Sequence, residues 1–328
     1  MSERSSVVSV SFNTKSALCC CLKILTESLK IFPRNKYILL LTFILLTLPL
    51  SLLHFSLSLT SYPIKSQILH MELVATRAST HFESRQIWRD SREVALSVFR
   101  LKLLYFLPSN FFSLIAAITV VISTESAYTK RSTTLQHVVS AVISTWYRPL
   151  LTSWYIYTFL LLYSSVPHML LAVIGSSIPG FRFVVWVVGL GIESYIIAVL
   201  GLALVVSITE NEFGLDAIRI GWRLMEGRRI CGWFLFGFMA AVTAAIGWRM
   251  EGLMVASNDS AEEAKWIETV GWEKVVLVGL YGVAIVWGFV VTTVFYCECV
   301  KLHVVGRSEA EEEEEQELQK QEEGSLDC

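Results

Sequence analysis

The run from Phe183 to Ser207 decides what kind of molecule this chain can be. Its 25 residues carry a single charged side chain, Glu193. About 20 predominantly apolar residues suffice for a helix to cross the roughly 30 Å hydrocarbon core of a bilayer. Comparable runs recur at about 37–59, 103–123, 150–174, 230–248 and 275–295. Lipid offers no hydrogen bonds, so such runs must satisfy their own backbone groups as helices. The expectation is an all-α integral membrane protein with about six transmembrane helices. Composition agrees: 54% of residues are hydrophobic and only 17% charged, against roughly 25% charged in soluble domains.

Between the spans a second pattern repeats. Leu18, Leu22, Leu25 and Leu29 recur at helical spacing, with Lys23, Glu27 and Lys30 off that stripe and Pro33 ending it. Leu135, Val138, Val139, Val142 and Trp146 repeat the spacing, as do Leu215, Ile218, Trp222 and Met225. Stripes this narrow, flanked by charge, predict amphipathic helices lying on a membrane surface. Thr133 with Gln136, and Thr209 with Glu212, have the spacing of capping boxes that would start the second and third of them. The unit of surface helix, basic punctuation, span, linker and span thus occurs three times, as a pseudo-repeat of pattern. The linker of about 68–100 mixes charges without Gly or Pro and predicts a polar helix leading into the second span, where Pro108 and Asn110 suggest a kink. The first apolar run begins near Tyr37, too late for a cleavable signal peptide, so the first span is read as a retained anchor. The chain divides into a polar disordered N-terminus (1–16), a polytopic membrane domain (17–305) and an acidic disordered tail (306–328).

Charge sets the expected topology. The net charge of −2 combines a tail with ten acidic and two basic residues from Arg307 onward, about −8, with a body of about +6. With the N-terminus cytoplasmic, the cytoplasmic segments hold 16 Lys and Arg and the opposite segments 11, seven of them in the long first linker. Basic residues beside span ends favour the cytoplasm. All seven cysteines fall on or near that same side, where thiols stay reduced. Asn258-Asp259-Ser260 forms an N-glycosylation sequon in the last loop of the other side. Both termini are therefore expected in the cytoplasm, in the endoplasmic reticulum or plasma membrane.

Chemistry-bearing residues are few. Glu193 is the one acidic residue deep in a span, and an ionisable group there is a functional hypothesis by default; His168, in the third span, is its candidate partner. A structural hydrogen bond across helices is the alternative. Cys19, Cys20 and Cys21 lie on a surface helix and are candidates for S-palmitoylation, or simply small packing residues. His70, Glu72, His81 and Glu83 lie too far apart along a helix to share one ion. No catalytic motif and no metal or cofactor signature occurs, so no cofactor is expected. The basic body suits an anionic leaflet and the acidic tail a protein partner; nothing points to nucleic acid.

The segment Leu18 to Phe32, then Pro33-Arg34 and an apolar span with Pro49, resembles a plant family of uncharacterised six-span membrane proteins. Residues Thr209 to Asp216 and Ala217 to Arg229 strengthen the likeness. The layout is similar to the membrane domain attached to some bacterial glycerophosphodiester phosphodiesterases. The resemblance covers about Ser16 to His303 and implies fold and membrane location. It brings no catalytic residue, because the phosphodiesterase chemistry resides in a separate soluble domain. The function expected is that of a non-enzymatic scaffold or membrane-organising factor of the secretory pathway; the alternative is a transporter or lipid-handling carrier using Glu193.

Overall fold

The computed structural model describes residues 14–77, 81–131, 134–174, 179–258 and 263–326. They form helices throughout, with no strand among the described residues. In chain order these are α1 (Thr14–Arg34), α2 (Lys36–Thr42), a π-helical turn (Phe43–Thr47), α3 (Leu48–Arg77), α4 (His81–Tyr128), α5 (Leu135–Thr145), α6 (Tyr147–Ile174), α7 (Pro179–Thr209), α8 (Leu215–Leu224), α9 (Arg229–Asn258) and α10 (Glu263–Leu326).

Five stretches are long and apolar enough to cross a membrane: Lys36–Ser61, Arg92–Tyr128, Phe183–Thr209, Arg229–Leu253 and Gly271–Val304. The chain is thus an all-α integral membrane protein. The expected third span, 150–174, falls within α6, which is not among the five. At 28 residues α6 is long enough to cross a bilayer.

The π-helical turn lies just before Pro49. In a regular helix the Pro49 ring would press on the carbonyl of Leu45, four residues back; a wider turn there relieves the clash. Thr47 and Ser51 keep this stretch hydrogen-bonded, their hydroxyls donating to Phe43 O (3.0 Å) and Thr47 O (2.7 Å). Pro108, by contrast, sits inside α4, which continues through it.

The core lies towards one end of the bundle. Ala117, Ile118 and Val121 of α4, Leu202, Val205 and Val206 of α7, Leu235 of α9 and Val290, Val294 and Phe295 of α10 are fully or almost fully buried. Across that end lies α1, touching α4, α9 and α10. It buries Cys21, Ile24, Ser28 and Ile31, and Trp287 Nε1 donates to Ser28 Oγ (3.1 Å). At Asn35, after α1, the side-chain amide donates to Ser123 O (2.6 Å).

The α8 helix packs on α7 through Gly221. A β-carbon there would fall 3.0 Å from both Ala203 N and Val199 O, so the two backbones nearly touch. The capping box expected at Thr209 and Glu212 does not form. The α7 helix runs on through Thr209, whose hydroxyl donates back to Val205 O (3.0 Å), a habit of threonines in apolar helices. Gly214, with φ +67°, precedes α8 and no side chain caps that helix. Instead Gly214 N donates to Thr152 Oγ1 of α6 (2.9 Å). Thr133 lies outside the described residues, and Thr134 precedes α5 without a side-chain cap.

The three short helices share one arrangement. Each buries a narrow row against the bundle: Cys21, Ile24 and Ile31 in α1, Val138 in α5, Ala217, Gly221 and Leu224 in α8. Each also exposes a second apolar row: Leu22 (56% exposed) and Leu29, then Leu135, Val139 and Ile143 (70%), then Leu215 and Trp222 (50%). Finally, α10 continues through the acidic tail to Leu326, where composition suggested a disordered chain. Glu, Gln, Lys and Leu are strong helix formers and no proline interrupts them.

Candidate functional site

At the end bearing α1, four elements meet on Glu298. Tyr128 Oη donates to Glu298 Oε1 (2.7 Å), and Lys301 Nζ donates to Tyr128 Oη (2.7 Å) while lying 4.2 Å from the ring centroid. Arg228 Nη1 stands 3.5 Å from Glu298 Oε2, with the arginine side chain 20% and the glutamate 17% exposed. The same guanidinium nitrogen reaches Cys20 Sγ (3.5 Å). Hydrogen bonds to a charged group are stronger than neutral ones, so this network ties α1, α4, the start of α9 and α10 together.

The cysteine run is placed unevenly. Cys19 is exposed, Cys20 half-buried and Cys21 buried. Cys21 Sγ lies 3.1 Å from Cys231 Sγ and 3.4 Å from Cys231 O. Burial pushes the Cys21 thiol up from its ordinary value, which leaves little nucleophilic thiolate. Packing therefore suits Cys21, and of the three only Cys19 is openly presented for acylation.

Glu193 is half-buried on α7. Next to it Tyr163 Oη donates to Gly189 O (2.7 Å) and Trp233 Nε1 to Gly191 O (2.7 Å). Among the described residues Glu193 has no hydrogen bond or ion pair. His168 belongs to α6, with its side chain outside the described set, so the expected pairing is not drawn. Asn258 is the last residue of α9; Asp259 and Ser260 lie outside the described residues.

Two cavities share lining residues between the helices of the bundle. The first, of about 380 Å3, is walled by aliphatic and aromatic side chains from α4, α6, α7, α9 and α10. Its polar atoms are the hydroxyls of Thr243 and Thr292, which donate to Met239 O (3.1 Å) and Gly288 O (2.8 Å) of their own helices. The second, of about 330 Å3, is lined by Ser51, His54, Ser58 and Tyr281 and shares Ala240 and Thr243 with the first. The His54 ring packs edge-on against Tyr281, with centroids 5.7 Å apart. Glu193 lines neither cavity. Sequence reasoning passed over His54, although Ser51, His54 and Ser58 fall on one helical face at spacings of three and four.

Fold and spans together define a polytopic, all-helical integral membrane protein. The family model described as "Domain of unknown function (DUF8558)" matches residues 17–312, and the chain belongs to that family. No curated protein matches the chain, and no solved structure does.

Proposed function

We propose that this is a non-enzymatic membrane-organising protein of the secretory pathway, residing in the endoplasmic reticulum or plasma membrane. In this reading α6 is a sixth span, both termini are cytoplasmic, and α1, α5 and α8 lie in the cytoplasmic leaflet. The observation that carries it is the second apolar row on each short helix. A row such as Leu22–Leu29 or Leu215–Trp222, left uncovered by the bundle, is unfavourable in water and favourable at a headgroup boundary. Three such helices widen one leaflet and not the other. The acidic tail is the surface offered to a protein partner.

The test is reconstitution of the full chain into anionic vesicles, with size measured by electron cryomicroscopy. The wild type narrows the vesicle diameter. A variant carrying Leu22→Glu, Ile143→Glu and Trp222→Glu, all at exposed positions, leaves it unchanged. Identical distributions for the two proteins would overturn the reading. A proton- or cation-coupled carrier is less well supported, because carriers place their polar site at an accessible midplane cavity and Glu193 lines neither cavity.

A further inference from the structure

We infer that the two adjoining cavities form one binding site for a sterol, with the ring system in the apolar chamber and the 3-hydroxyl between His54 and Tyr281. The inference stands apart from the proposed role of the surface helices. The two chambers share Ala240 and Thr243 in their linings, and this is where a single molecule would pass from one to the other. Their sizes, about 380 and 330 Å3, fall in the range that holds one small ligand. From Gly288 in the apolar chamber to Tyr281 in the polar one is seven residues of α10, a rise of about 10 Å.

The lining selects the ligand's chemistry. No Lys, Arg, Asp or Glu lines either chamber. A phosphate or quaternary ammonium headgroup would sit there without a counter-charge, at a large desolvation cost. A lone hydroxyl has no such requirement. Neither Tyr281 Oη nor the His54 ring has a hydrogen-bond partner among the described residues, and a phenol and an imidazole can together donate to and accept from one hydroxyl. The apolar chamber is faced by the aromatic rings of Phe236 and Phe289. Ring faces offer broad contact to one rigid alicyclic body, which loses less conformational entropy on binding than two flexible acyl chains.

The experiment uses the full chain in phosphatidylcholine nanodiscs and a photoactivatable cholesterol with a free 3-hydroxyl. Saturable labelling of α9 and α10 peptides is expected, competed by unlabelled cholesterol. Cholesterol methylated at the 3-hydroxyl should compete roughly two- to tenfold less well, as expected for one lost hydrogen bond. Ala240→Leu fills the junction and should reduce labelling at least tenfold. Tyr281→Phe keeps the ring and should weaken binding roughly two- to tenfold; it decides alone if Ala240→Leu fails to assemble. Labelling competed equally by excess phosphatidylcholine would identify annular lipid and overturn the site, as would labelling indifferent to Tyr281→Phe.

Discussion

Replacing Glu298 by Gln removes one charge and almost no volume. Tyr128 can still donate to the amide oxygen, but the bond changes from charge-assisted, worth about 1.5–3 kcal/mol, to neutral, worth about 0.5–1.5 kcal/mol. Arg228 loses its partner as well. Exposed ion pairs contribute roughly 0.2–1 kcal/mol, and breaking a fully buried one costs about 3–5 kcal/mol. With side chains 20% and 17% exposed, this pair belongs between those limits, near 1–2 kcal/mol. The total expected loss is about 2–3 kcal/mol. Domains of about 150–250 residues lose roughly 2–4 °C of Tm per kcal/mol, so a fall of about 4–12 °C should appear in a size-exclusion thermostability assay of detergent-solubilised protein. Tyr128→Phe alone should cost less, and the double variant less than the sum of the two. Strict additivity, or a fall within 1 °C, would refute the view that Glu298 is the hub joining α1, α4, α9 and α10.

The cysteines should respond in order of burial. Because burial raises the Cys21 thiol, its thiolate fraction at pH 8 lies below that of a free cysteine. Maleimide should therefore label Cys19 quickly and Cys21 only after unfolding, as read by mass spectrometry of peptides, and Cys19→Ser rather than Cys21→Ser should lower any acyl-exchange signal. Topology is checked at Asn258: glycosidase should increase gel mobility of protein expressed in a eukaryotic cell, and Asn258→Gln should abolish that shift.

Spans are legible in sequence because each is decided locally, by one continuous stretch of apolar side chains. The ends are less so. The span expected at 103–123 extends over Arg92–Tyr128, since a helix can carry flanking charges to the interface. On the short helices, periodicity found one stripe where two functions are divided. Leu22, Leu25 and Leu29 read as one row, yet Leu25 leans on the core while Leu22 and Leu29 are exposed. The face that docks is made of Cys21, Ile24, Ser28 and Ile31; two of these are a thiol and a hydroxyl, which a search for large apolar residues skips. The ionisable residue and the cavity lie apart. Glu193 stands out in the sequence because it is ionisable, while Ser51, His54 and Ser58 line the second cavity. Their importance depends on Tyr281, more than 200 positions away, and no local pattern announces such a meeting.

The docking of α1 also carries a schedule. Its contact with Cys231 joins residues 210 positions apart, and its bond from Trp287 joins residues 259 apart. At translation rates of about 5–20 residues per second, roughly 10–50 s separate the synthesis of α1 from that of its last partners. Throughout that interval Ile24, Ser28 and Ile31 have no bundle to enter. In the proposed reading, the exposed row of Leu22 and Leu29 gives the nascent helix a bilayer surface to rest on until α9 and α10 arrive to receive its other face.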